Sequence, residues 1–150
     1  MINKETGELN FSNGFYAGPN LSREEFLTST ISEKAKVHVA NGPYCSYQVE
    51  VSNVTTLNIV EHWIVILFFY KLNLTSIKFS IMDGSEGTSW DDWDENREIE
   101  KQAFYDRWLM ENFASAPPYE YSWGTVRSFY DPRAGFSGIY ISYNIVDESK

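Results

Sequence analysis

Eight carboxylates lie between Asp83 and Glu100 against a single base, Arg97, and Trp90 and Trp93 are threaded among them. Three kinds of chemistry use such residues: calcium binding by oxygen ligands, glycoside hydrolysis by paired carboxylates, and capture of a basic partner on an acidic surface. Spacing separates them. An EF-hand loop starting at Asp92 needs glycine at its sixth position and glutamate at its twelfth; the chain has Arg97 and Ala103 there. Asp91 and Asp94 are near neighbours, but a glycosidase needs two carboxyl groups facing each other across a sugar, and adjacency in sequence does not supply that geometry. The loop Gly84-Ser85-Glu86-Gly87 puts an acid where a phosphate would sit. The 18-residue segment accounts for −7 of the formal net charge of −9, so the acidity is a patch rather than a general property.

The remaining reactive residues are sparse. His38 and His62 fall in alternating segments with no carboxylate or cysteine at ligand spacing, and a metal site needs a cluster of donors. Cys45 is the only cysteine; it lacks a flanking nucleophile signature, and a lone cysteine commonly serves as a small buried hydrophobe. The expectation is a protein that is not an enzyme and uses no metal or cofactor. A pI near 4.6 disfavours direct contact with nucleic-acid phosphates or anionic membranes and favours basic partners. A single cysteine rules out an intrachain disulfide, which suits a reducing cytoplasm. The start Met1-Ile2-Asn3-Lys4-Glu5 has no signal-peptide core, and the longest apolar run, residues 63–70, is far short of the roughly 20 residues that span a bilayer. A cytoplasmic location is expected.

The elements that must position these residues are legible from periodicity. Leu9 and Phe11 alternate with polar neighbours ahead of Asn13-Gly14, a strong type I′ hairpin signal. Ser22 and Glu25 form a capping box, with Leu21 and Phe26 placed to staple it, which predicts a helix over 23–30. Val37 and Val39, then Tyr47, Val49 and Val51, alternate as two strands around Asn41-Gly42-Pro43. Residues 60–70 are apolar at nearly every position, which predicts a central strand covered on both sides. Ile77, Phe79 and Ile81 mark the next strand, and a last hairpin joins 125–130 to 137–143. The acidic segment opens a second helix over 92–113, its carboxylates suited to the positive N-terminal end. On that helix Ile99, Ala103, Met110 and Phe113 project to one face, and Trp93, Phe104 and Trp108 to another. The order predicts one α+β domain: a single antiparallel sheet with two helices packed on it.

A helix with two apolar faces can bury one on the sheet, and the second then needs a cover from this chain, a second copy or a partner. Equally, an acidic run can be a solvated helix start with its tryptophans in the core. The run Gly87-Thr88-Ser89-Trp90-Asp91-Asp92-Trp93, followed by Trp108-Leu109, Tyr121-Ser122-Trp123-Gly124 and Tyr130-Asp131-Pro132-Arg133, resembles small acidic enterobacterial proteins, as does the start Leu21-Ser22-Arg23-Glu24-Glu25-Phe26-Leu27. In that company the chain looks like an immunity protein of a contact-dependent or polymorphic-toxin system. The resemblance implies a stoichiometric inhibitor of a cognate toxin domain, commonly a nuclease with a basic surface. Asp91, Asp92, Asp94, Glu95 and Glu98 are then the charge candidates, and Trp90, Trp93 and Trp108 the anchors. The competing classes are a carbohydrate- or peptide-binding module, a carboxylate-dependent hydrolase, and a nucleic-acid mimic that blocks a host protein. Homodimerisation through the aromatic face is a further option.

Overall fold

Alternation along the long strands makes one face of a sheet largely apolar, and that face organises the domain. The computed structural model describes residues 1–12, 14–55, 57–82, 95–133 and 136–144, with the backbone alone at Thr30, Ile31, Glu95 and Phe136. Two short strands, β1 (Leu9–Asn10) and β2 (Tyr16–Ala17), form the N-terminal hairpin. Helix α1 (Arg23–Thr28) follows, then a 3-10 turn at Thr30–Lys34. Strands β3 (Lys36–Asn41), β4 (Tyr44–Val54), β5 (Val60–Tyr70) and β6 (Asn73–Ile81) make an antiparallel meander. Helix α2 (Glu95–Phe113) leads to a second meander of β7 (Tyr119–Tyr121), β8 (Gly124–Asp131) and β9 (Phe136–Tyr143). The two meanders join where β6 pairs with β9, giving a seven-stranded sheet ordered β3-β4-β5-β6-β9-β8-β7. The α+β class holds; the N-terminal hairpin is a separate two-stranded sheet rather than part of a single one.

The capping box forms as read. Ser22 Oγ accepts the Glu25 backbone N–H at 3.1 Å, which satisfies one of the donors a helix start leaves open. Phe26 drops into the core against Tyr47 and Phe69. The helix is shorter than predicted, because the chain tightens into the 3-10 turn after Ser29.

The apolar face consists of Tyr47, Val49 and Val51 on β4, Trp63, Val65, Leu67 and Phe69 on β5, Ile77 and Phe79 on β6, and Ile139 and Ile141 on β9, all buried. The N-terminal hairpin covers it with Leu9, Phe11 and Phe15, and α2 with Tyr105, Leu109 and Phe113. The expectation that β5 is covered on both sides needs correction. Ile64, Ile66 and Phe68 point to the opposite face and are only half-buried. Long basic side chains shield that face instead. Lys78 Nζ lies 5.5 Å from the Phe68 ring, 5.6 Å from Phe129 and 5.8 Å from Tyr140, and the Arg127 guanidinium lies 5.1 Å from Tyr140. The charged ends themselves sit over the ring faces, where the π electrons attract a cation.

Both edges of the sheet are interrupted. In β3 every residue is exposed, and a bulge between Val37 and Val39 breaks its register with β4. At the other edge β7 is three residues long and follows Pro117-Pro118.

Helix α2 is rotated from the predicted orientation. Glu98, Tyr105, Leu109 and Phe113 are its buried positions, while Ile99 and Met110 are about half exposed. The stripe 98-105-109-113 follows the helical period, so Ile99, Ala103 and Met110 must lie on the far side. Polar contacts fix this orientation. Tyr105 Oη accepts the Ile81 backbone N–H at 2.9 Å, Ser128 Oγ donates to Asp106, and Asn112 makes two bonds to the Ile2 backbone at 2.9 and 3.0 Å.

Candidate functional site

Phe104 and Trp108 flank the buried stripe of α2 rather than leaving it. Trp108 packs its ring 5.8 Å from Trp63 and 5.7 Å from Phe79, and Phe104 lies 6.3 Å from Trp63. Both are half-buried, so each has an inner surface in the core and an outer surface free for contact. The outer surfaces line a cleft of about 600 Å³ between α2, the N-terminal hairpin and the far end of the β4–β5 hairpin.

Three elements build the cleft. The N-terminal hairpin contributes Phe11, whose ring sits 6.1 Å from both Trp63 and Phe79. The β4–β5 hairpin contributes Val54 and Glu61, and α2 contributes Arg107 and Glu111 beside the two aromatics. Ser12 ties the first two together: its N–H donates to Asn53 Oδ1 at 3.1 Å and its Oγ accepts the Val54 N–H at 2.7 Å. The floor is thus continuous with a packed cluster of five aromatic rings. A ligand would meet a formed surface, with little side-chain order to impose on binding.

The chemistry of the cleft is that of recognition. An apolar aromatic floor accepts an aliphatic or aromatic side chain, or a cation over the Trp108 face. Glu61 and Glu111 add two negative charges at its margin, and Arg107 adds one positive. Among the described residues, His, Cys, Asp and Glu nowhere gather in threes at metal-binding distance. His38 Nδ1 is 2.9 Å from Ser46 Oγ on the sheet face away from the helices, and Cys45 is buried.

The residues singled out from sequence divide into three groups. Trp90, Asp91, Asp92, Trp93 and Asp94 lie outside the described residues, and of Glu95 only the backbone is described. Glu98 is buried, accepting from Ser137 Oγ at 2.8 Å with Lys101 Nζ 3.4 Å away, so it is held inside the domain. Trp108 lines the cleft. Sequence reading missed Phe11 and Glu61 as its companions, since nothing local in the chain marks such distant residues as neighbours; Glu111, three residues after Trp108 on the same helix, was legible from the helical period.

Comparison with known proteins gives one informative match. A chain of a solved structure described as Rhs1-CT in complex with cognate immunity protein RhsI1 aligns with 99% of this chain and 90% of its own length, with a TM-score of 0.59 and 18% identity. At that identity the likeness is one of fold. No protein-family model matches the chain, and no curated protein does either. Among the described residues no helix is long and apolar enough to cross a membrane.

Proposed function

We propose that this chain is an immunity protein that binds a cognate toxin domain and neutralises it without catalysis. The single observation that carries the proposal is the fold likeness, spanning nearly the whole of both chains, to a member of a toxin–immunity complex. The cleft supports it independently, because half-exposed Phe104 and Trp108 on a rigid floor are the kind of anchor that dominates protein interfaces.

In this reading Trp90, Asp91, Asp92, Trp93, Asp94 and Glu95 serve as the approach to the site. Glu95 and Phe104 are nine helical residues apart, about 14 Å along the axis. That exceeds the roughly 8 Å Debye length at physiological salt, so the acidic run accelerates encounter while the cleft holds the partner. A nuclease fits such a field best, because a surface that holds phosphates is basic. Glu98 drops out of the charge set, and Glu61 and Glu111 take its place.

Co-expression tests the function. The toxin domain encoded by the adjoining reading frame should arrest growth alone and fail to do so when this chain is present. Continued arrest, with both proteins soluble, rejects the immunity role. A small-molecule reading is favoured by one observation, the cleft volume, which lies within the range of small-ligand sites. Quenching of tryptophan fluorescence by a sugar or a short peptide, abolished in Trp108→Ala, would select it.

A further inference from the structure

The sheet face turned away from the helices carries a straight row of cations. Register sets Lys36 beside Gln48, Gln48 beside Ile66, Ile66 beside Lys78, Lys78 beside Tyr140 and Tyr140 beside Arg127, one position on each of six adjacent strands. Neighbouring strands lie about 4.8 Å apart, so the backbone at Lys78 is about 10 Å from that at Arg127 and about 14 Å from that at Lys36. No acid stands in this row. None stands in the next, where Ser46, Phe68, Ser76, Ser142 and Thr125 are in register, and Glu50 enters only on the other side, beside Ile64. Among the described residues no carboxylate forms an ion pair with Lys36, Lys78 or Arg127. Lys36 and Arg127 are exposed, and the apolar Ile64, Ile66 and Phe68 around the row are only half-buried.

Local charge and spacing select the occupant. One small anion cannot bridge cations about 10 and 14 Å apart, so the complement carries several negative charges. Half-exposed aliphatics among the cations call for apolar groups interleaved with those charges, which a phosphate backbone lacks. Bases would have to stack on the rings, yet Lys78 Nζ already lies over Phe68, Phe129 and Tyr140, and Arg127 over Tyr140. An acidic amphipathic helix laid across the strands supplies both kinds of group. Its residues seven and eleven apart share a face, at about 10.5 and 16.5 Å, with aliphatic side chains in the turns between. The long Lys and Arg stems take up the remaining difference. We propose that this sheet face is a second interaction surface, whose occupant is an acidic amphipathic helix of a protein partner, its carboxylates on Lys36, Lys78 and Arg127 and its apolar side chains on Ile64, Ile66 and Phe68. The aromatic cleft lies on the opposite side of the sheet, so the two surfaces can be occupied together. Neither the face nor its occupant depends on the immunity reading.

Fluorescence anisotropy with the full chain tests it, the probe being a labelled helical peptide whose contact face carries Glu at these two spacings flanked by Leu. Binding should weaken as salt rises, and a peptide with Gln for each Glu should bind at least about tenfold more weakly. Lys78→Glu combined with Arg127→Glu should also weaken binding at least about tenfold. Lys36→Glu should weaken it about threefold with an unchanged melting temperature, because Lys36 is exposed on an edge strand; it keeps the test decisive if the double variant is unstable. Affinity within about twofold of wild type in the charge-reversal variants overturns the surface and leaves the immunity role intact. Failure of the wild type to bind the peptide overturns it too. Binding of a single-stranded oligonucleotide or of phosphatidylserine vesicles in place of the peptide, or a dimer in sedimentation that the charge reversals abolish, assigns the face to a nucleic acid, a membrane or a second copy and likewise overturns the proposal.

Discussion

Removing the Glu98 carboxylate separates a structural acid from a steering one. Glu98 sits in the most acidic stretch of the chain, yet it is 7% exposed and accepts from Ser137 Oγ, itself 1% exposed, at 2.8 Å. In Glu98→Ala the serine hydroxyl loses its acceptor in a site without water access, and a charge-assisted bond is lost; together these cost about 2–3 kcal/mol. The Lys101 pair is an i, i+3 contact at 3.4 Å and adds at most about 0.5 kcal/mol. At roughly 2–4 °C per kcal/mol for a chain of this size, the melting temperature should fall by about 4–14 °C. Urea denaturation should show a lower midpoint at unchanged slope. Glu98→Gln retains an oxygen for Ser137 and should lose less than about 1 kcal/mol, although it removes the same charge. Neither substitution should alter the salt dependence of partner binding. A loss below about 0.5 kcal/mol in Glu98→Ala, or a changed salt slope in Glu98→Gln, would refute the assignment of this acid to the interior.

Other outcomes follow from the same structure. Burial raises the pKa of the Tyr143 hydroxyl, which donates to the Gly7 carbonyl at 2.6 Å. The unfolded chain then loses this proton near pH 10 while the folded chain keeps it, so stability is constant below that pH and falls above it. Tyr143→Phe should flatten melting temperature against pH above 10, at the cost of the hydrogen bond below it; an unchanged alkaline slope counts against this. Gly7 has φ +79°, and a Cβ there would meet the Trp123 ring at 2.5 Å. Gly7→Ala should therefore cost about 2 kcal/mol or more in chemical denaturation, and a neutral result would mean that the N-terminal segment is not held as described. Trp108→Ala should lose about 2–4 kcal/mol, toward the lower part of the range for buried aromatics because part of the side chain stays exposed to the cleft. Reversing Asp91, Asp92 and Asp94 to Lys should slow association with the toxin domain and flatten its salt dependence while leaving dissociation nearly unchanged, as stopped-flow mixing would reveal.

Local signals in the chain were faithful where local chemistry decides structure. The Ser22–Glu25 box capped a helix, the alternation of Tyr47, Val49 and Val51 set a strand face, and the paired runs near the C-terminus became β8 and β9. The failures share a cause, which is that the deciding partner is distant. Glu98 is buried because Ser137 lies 39 residues away, and no hydropathy pattern would place a glutamate in the core while leaving Ile99 outside. Ile64, Ile66 and Phe68 are apolar and on pattern alone predict a covered face of β5, yet that face is open. Lys78, a cation from the next strand, pairs with Ile66 and lies over the Phe68 ring instead. The type of Trp108 marks it as a candidate, but the cleft it lines depends on β4, β5 and the N-terminal hairpin meeting α2.

The interrupted edges of the sheet bear on how such a protein can change over time. An intact edge strand is a generic adhesive: its unpaired backbone groups accept any extended segment, whatever its side chains. With β3 bulged and β7 reduced to three residues behind two prolines, that route to association is blunted at both ends. In the proposed function, recognition falls to side chains on a helix flank, where substitution leaves the backbone ladder untouched. Specificity can thus be rewritten one residue at a time against a diverging partner, with each intermediate still folded and still resistant to polymerising with its own copies.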